Sequence, residues 1–209
     1  MTITDIRKTK QGRYALYIDG EFCFSVHSDT YCLTNLAAGL DITPDRLEEL
    51  RREDEDRSCR DKALRLLSHA AHSRGMLMDK LTRFYEEETA ERAADRMAEL
   101  GLLDDLDFGL RFGTDLMRLR GWSLRRTEQE LLRKRLDRDT VAQVMEELAR
   151  RDEDGDAARI LKLLRGRYRG RLGDRRGVEN TVAALRRQGF SLPDIRAALE
   201  AAAGEDEDG

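Results

Sequence analysis

The chain has 209 residues, 40% of them hydrophobic, 6% aromatic and 38% charged, with 2 prolines and a formal net charge of -4. That length allows one or two domains, and the composition predicts helices with a thin buried stripe and a wide solvated face. It excludes a uniformly cationic nucleic-acid binder, and no run approaches the roughly 18 apolar residues of a membrane helix.

Residues 1–42 read as a β meander and connector. In "RYALYIDGEFCFSV", Tyr14, Leu16 and Ile18 alternate, as do Phe22, Phe24 and Val26 after Asp19-Gly20. Period two around an Asp-Gly pair predicts a hairpin, because both turn residues tolerate positive φ. "TITDIRKT" supplies a third strand. The meander is too small for much independent stability. Most apolar periodicity follows Thr43, so residues 1 to about 40 are expected to be dispensable for folding of the rest.

Thr43-Pro44 then reads as an N-cap followed by proline at the first helical position. Helical periodicity continues almost to the end, with breaks near Ser73, Tyr85, Gly101, Gly121, Leu136, Asp152, Gly170 and Gly189. The segments "DKLTRFYEEETAERAADRMAEL", "QELLRKRLDRDTVAQVMEEL" and "AALRRQGFSLPDIRAAL" lie over one another. Leu81, Leu131 and Leu185 hold one position, 50 and 54 residues apart, and Tyr85, Leu136 and Phe190 hold another. Asp137 caps the third helix of the second unit, and Ser191 with Asp194 resembles a capping box. The predicted fold is mainly α: three tandem three-helix repeats over 43–103, 104–151 and 152–203, in an elongated curved array behind the meander. Residues 204–209 form an acidic tail expected to be disordered.

Between the first two repeats stands "GLLDDLDF", residues 101–108. Gly101 ends one helix, while Asp104 and Asp105 sit where free N–H groups and the helix dipole favour carboxylates. Phe108, Phe112, Leu116 and Leu119 are expected to form the apolar stripe of the next helix.

This segment resembles the hallmark Leu-Asp-Asp-x-x-Phe of the RecX family, regulators of the RecA recombinase. "RGWSLRRTEQELLRKRLD", residues 120–137, continues the likeness, with Gly121, Arg126, Glu130 and Leu131 at the family's positions. "HSRGMLMDKL", residues 72–81, is similar to Arg-Ser-x-x-Glu-Leu-x-x-Lys-Leu, with His72 and Met76 as departures and Ser73, Leu77, Lys80 and Leu81 as matches. "RRQGFSLPDI" is similar to the ending of the third unit, and the meander looks like an extension that some members carry. The resemblance implies a cytoplasmic, non-catalytic protein that binds the RecA–DNA filament along its groove. It also implies restraint of RecA's ATPase, strand-exchange and co-protease activities.

Charge is unevenly placed. Glu86 to Asp107 holds nine acidic and two basic residues, net -7. Arg118 to Arg138 holds eight basic and three acidic, net +5, and Ala157 to Arg187 ten basic and two acidic, net +8. Candidate filament-binding residues in the second repeat are Arg111, Arg118, Arg126 and Arg133. In the third, Lys162, Arg165 and Arg169 recur at helical spacing, opposite an apolar face of Ala157, Ile160, Leu161, Leu164 and Tyr168. Arg167, Arg171, Arg175 and Arg176 extend the charge. Clustered arginine suits phosphates or an acidic protein groove. Aromatic residues are not interleaved as base stacking would need, so backbone or protein contact is expected over base readout.

No metal site is expected. Cys23, His27 and Cys32 are loosely spaced, no Cys-x-x-Cys exists, and His69 and His72 read as ordinary residues at a helix end. With Cys59, the three cysteines show no paired spacing and read as free thiols, and the N-terminus lacks a signal-peptide pattern. No phosphate loop or nucleophile motif is present, so no enzyme activity and no cofactor are expected. Trp122 is expected to pack at a joint between helices. The expected partner is the RecA nucleoprotein filament, with weak binding of single- or double-stranded DNA, no membrane, and a monomeric state. A stand-alone DNA-binding regulator built of helix-turn-helix-like modules is the alternative.

Overall fold

The Asp-Gly turn forms as the alternation predicts. In the computed structural model, which describes residues 1–152 and 155–207, Asp19 and Gly20 take φ of 49° and 90°. Strands β1 (Ile3–Lys8), β2 (Tyr14–Ile18) and β3 (Glu21–Val26) form an antiparallel sheet in that order. A bulge at Leu16/Tyr17 shifts the β2–β3 register, pairing Leu16 with Phe24 but Tyr17 with Phe22. A one-residue slip sends a side chain to the other face. Phe22 is therefore 59% exposed, its ring edge-on to Tyr17, and does not join the face it was expected to share with Phe24 and Val26.

Helix α1 (Ser28–Leu33) is short and was not anticipated; its Tyr31 stacks on Tyr14 with ring centroids 4.0 Å apart. Helix α2 (Pro44–His69) begins as Thr43-Pro44 predicts, with the Arg46 N–H donating to Thr43 Oγ1 at 3.2 Å. Its first half closes the core of the sheet: Leu50 is fully buried with Ile3, Leu16, Val26, Leu36 and Ile42, and Leu47 packs beside them. Buried Asp54 fastens this junction, accepting from Arg13 at 2.5 Å and from the His27 N–H at 2.6 Å. Its second half packs with α3 (Arg74–Leu81) and α4 (Glu87–Glu99) around Cys59, Ala63, Leu77, Leu81 and Met97. Ala90, Ala93 and Ala94 face that core, and their small size lets α4 lie close to α2.

The chain divides into two compact units, Met1–His72 with Met76–Leu103 and Ser73–Gly75 with Asp104–Gly209. The sheet thus shares a unit with α2, because Leu47 and Leu50 of that helix complete the core of Ile3, Leu16, Val26, Leu36 and Ile42.

The second unit holds two three-helix sets. Helices α5 (Asp105–Arg120), α6 (Leu124–Arg133) and α7 (Arg138–Arg151) enclose Met117, Leu131, Leu136, Val141, Val144 and Leu148. Helices α8 (Gly155–Arg165), α9 (Arg175–Arg187) and α10 (Leu192–Glu207) enclose Ile160, Leu164, Tyr168, Leu185, Phe190 and Ile195. A 3-10 turn spans Arg169–Arg171. The repeat anchors Leu81, Leu131 and Leu185 are all fully buried. Asp137 and Ser191 cap their helices, receiving the N–H of Thr140 at 2.8 Å and of Asp194 at 3.2 Å. Helix α10 runs to Glu207, into the segment expected to be a disordered tail; Asp208 and Gly209 lie outside the described residues.

The stripe of α5 departs from its expected phase. Gly109, Gly113, Leu116 and Met117 are buried, Phe108 and Phe112 are half-buried, and Leu119 is 77% exposed. The glycines set the phase: a Cβ at Gly109 would meet Val144 at 2.7 Å, and one at Gly113 would meet Leu148 at 2.5 Å. With α7 seated on the glycines, Leu119 turns outward.

Candidate binding cleft

Helix α5 ends at Gly121, whose φ of 65° places it in the left-handed region that glycine favours at a helix C-terminus. A Cβ there would also fall 2.9 Å from Leu163 Cδ2, so the missing side chain lets α8 approach the end of α5. The last turn of α5 is thereby brought beside the end of α7 and the outer face of α8. Between them lies a cleft of about 760 Å³.

Its wall is built from Arg159, whose side chain is only 11% exposed. Arg159 is 2.6 Å from Asp152 and also pairs with Asp156. Asp156 in turn accepts the Leu124 N–H at 3.4 Å, and burial raises its carboxyl above the usual range. Arg151, also at the cleft, is held by Glu147 at 2.6 Å. Arg118, Arg120, Lys162 and Arg167 complete the lining, and among the described residues none of these four has a carboxylate partner. Unpaired cations set around a concavity focus a positive potential there. Met117, Leu119, Leu148 and Leu163 line the same cleft, Leu119 the most exposed of them.

Of the eleven cations expected at the site, the cleft gathers Arg118, Lys162 and Arg167. Arg111 is exposed and held by Asp107 at 3.0 Å. Arg126 is half-buried, 5.0 Å above the Trp122 ring and 3.9 Å from Glu130; Arg133 also reaches Glu130, at 3.3 Å. Arg165 lies exposed on α8, but Arg169 stands on the 3-10 turn, outside the helical face it was expected to share with Lys162 and Arg165, and Arg171 is exposed on the same turn. The helix stops at Arg165, so the three-and-four spacing no longer places Arg169 above it. Arg175 pairs with Glu179 at 3.0 Å, and Arg176 is exposed nearby. Ala157, expected in the core, is exposed.

Sequence reasoning missed Arg120, Arg151 and Arg159, and it placed Leu119 in the core. Only the Gly121 break hinted that the end of α5 would be approached by another element. Trp122 is half-buried between Arg120 and Arg126, whose guanidinium carbons lie 5.5 and 5.0 Å from the ring.

A second cleft of about 760 Å³ in the first unit is lined by Arg13, His27, Asp54 and Asp61 among others; Arg13 pairs with Asp54 at 2.5 Å, and the His27 ring lies 3.4 Å from Asp61. No group of three or more metal-ligating side chains gathers among the described residues. His72 is buried, its Nδ1 2.7 Å from the Ala70 carbonyl. Cys23, Cys32 and Cys59 are free, and burial pushes the Cys59 thiol up to about 11, which leaves it inert. No helix among the described residues is long and apolar enough to cross a membrane.

Two family models match the chain: the regulatory protein RecX N-terminal domain over residues 1–43, and the first three-helix domain of RecX over residues 59–97. A regulatory protein RecX from Clostridioides difficile is 25% identical over 201 residues, covering 94% of this chain and 93% of the relative. One from Caldanaerobacter subterraneus subsp. tengcongensis is 23% identical, covering 93% of this chain and 95% of its own. A crystal structure of a regulatory protein RecX superposes with a TM-score of 0.63 at 20% identity, covering 94% of this chain and 98% of that one. A RecX structure from Lactobacillus salivarius gives 0.57 at 17%, covering 72% and 97%.

Proposed function

The chain belongs to the RecX family, and on that premise we propose that it is a non-catalytic cytoplasmic regulator that binds the RecA–DNA filament. In this reading it acts as a monomer and restrains RecA's ATPase, strand-exchange and co-protease activities. Its own affinity for bare DNA is weak.

The observation that supports this reading is the cleft of the second unit, where Arg118, Arg120, Lys162 and Arg167 have no carboxylate partner among the described residues of a mildly acidic molecule. Such a patch raises the rate of encounter with a polyanionic assembly, and that effect is screened by salt. Elsewhere in this unit Arg111, Arg126, Arg133, Arg150, Arg151, Arg159 and Arg175 are held by carboxylates. Exposed intrahelical pairs of that kind contribute little to stability and dilute local charge.

The test is RecA ATPase on single-stranded DNA, with the parent chain and with R118E/K162E/R167E. All three residues are exposed, so the variant is expected to fold as the parent does. The parent should slow hydrolysis, and the variant should need at least about tenfold more protein for the same effect, a loss of about 1.4 kcal/mol. A control, E86Q/E87Q/E88Q, should stay near the parent. If the charge-reversed variant restrains RecA as well as the parent at both low and physiological salt, the cleft is not the filament-binding surface. Tight, sequence-selective binding to duplex DNA without RecA would instead favour the stand-alone DNA regulator.

A further inference from the structure

Leu119 is 77% exposed, more than any other large hydrophobic residue exposed on this chain, and it opens into the cationic cleft. Leu163 of α8 and the edges of Met117 and Leu148 line the same cleft, so an incoming apolar side chain would meet Leu119 beside apolar atoms of three helices. The volume, about 760 Å³, is far more than one phosphate needs and suits several side chains. Among the described residues no aromatic side chain lines the cleft, and the Trp122 ring is flanked by Arg120 and Arg126. A groove for single-stranded nucleic acid combines its cations with aromatic stacking surfaces, and those are missing here. An apolar centre ringed by polar groups is instead the anatomy of a protein–protein contact.

We propose that this cleft is a socket for an acidic protein segment bearing one aliphatic or aromatic anchor side chain. The anchor seats against Leu119 and Leu163, and carboxylates on either side of it meet Arg118, Arg120, Lys162 and Arg167. The proposal rests on the filament reading only in naming the filament's protein, not its DNA, as what the cleft meets. Charge complementarity selects the segment and the apolar floor fixes its register.

The experiment is fluorescence anisotropy on the full chain with three labelled probes. One is a 15-residue Asp/Glu peptide with a single central leucine, the second is the same peptide with serine there, and the third is (dT)30. The leucine peptide should bind about tenfold tighter than the serine peptide, the gain expected for burying much of one aliphatic side chain. Leu119→Ser, a change at an exposed position, should erase that preference and leave (dT)30 affinity within about twofold. R118Q/K162Q/R167Q should weaken the leucine peptide about tenfold or more.

Equal binding of the two peptides, or a preference that survives Leu119→Ser, overturns the socket. So does a triple variant that loses only (dT)30 affinity, its salt slope falling by about 0.7 per removed cation. RecA ATPase in parallel separates the two readings. A parent chain that leaves RecA untouched yet prefers the leucine peptide retains the socket and defeats the filament reading. A parent that inhibits RecA but has no peptide preference does the reverse.

Discussion

Asp104 turns its carboxylate back to the Asp107 N–H of its own helix at 2.9 Å, whereas Asp105 accepts the Arg74 N–H at 2.6 Å. Nearby in the same unit the Ser73 hydroxyl donates to the Lys134 carbonyl, and a Cβ on Gly75 would strike the Arg135 carbonyl. The pattern recurs about 50 residues on. Ser123 N–H donates to the Gln188 carbonyl at 3.0 Å, Leu124 N–H to Asp156 at 3.4 Å, and Gly189 packs on Ser123 and Arg126. Asp105 and Asp156 therefore fill equivalent places, and burial raises both carboxyls above 3.8. Such a group binds its proton more tightly when folded. Its contribution is fully present below the unfolded pKa and is lost as pH rises through the folded one. Asp137, lowered by the Thr140 hydroxyl, runs the other way and is lost as pH falls. Asp105→Asn keeps an acceptor for Arg74 and should stay within about 0.5 kcal/mol of the parent at pH 7, while Asp105→Ala strands a donor and should cost about 1–2 kcal/mol. Urea denaturation of both variants checks this; equal losses would show that the hydrogen bond contributes nothing.

At the scale of elements, α5 and α7 meet through Gly109 and Gly113. A methyl at Gly109 would press on Val144, which is β-branched and stiff, and on Leu136; one at Gly113 would press chiefly on the Cδ1 tip of Leu148, whose unbranched Cβ leaves it more rotamers. Alanine also gains about 1 kcal/mol of helix propensity over glycine. Gly113→Ala should thus be nearly neutral, and Gly109→Ala should lose about 1 kcal/mol net of overpacking. Thermal unfolding of the full chain measures both, and a stabilised Gly109→Ala would mean that Val144 moves more freely than its branching allows. The same geometry turns Leu119 out toward the cleft, so the apolar centre of the candidate site follows from two glycines six and ten residues upstream.

Across the whole molecule, each unit carries its own core, and the sheet shares its core with the first half of α2. Removing residues 1–42 would uncover Leu47 and Leu50 and take away the Arg13 and His27 partners of Asp54. Hydrogen exchange on the truncated chain should show protection lost over residues 44–58 and retained from α5 onward. Full protection across α2 would restore the simpler view that the strands are dispensable. The single substitution Leu50→Ala should act in the same direction, costing about 2–5 kcal/mol in the first unit and sparing protection in the second.

The hairpin, the helix breaks, the capping residues and the anchors Leu81, Leu131 and Leu185 were all legible in the sequence. Each depends on interactions within a few residues: positive φ at Asp19-Gly20, a carboxylate or hydroxyl facing free N–H groups, one apolar position per turn. The concentration of positive charge in the later helices was legible for the same reason, as a sum over neighbours. The tertiary structure alone decided which cations converge and which are neutralised. Arg118, Lys162 and Arg167 meet because the absent side chain of Gly121 lets α8 approach, and Arg159 is spent on Asp152 and Asp156. Leu119 and Phe22 left their expected faces because a glycine-set helix phase and a strand bulge each rotate a side chain away from the core. A periodic pattern fixes which residues share a face, but the element that packs against it determines which face becomes the inside.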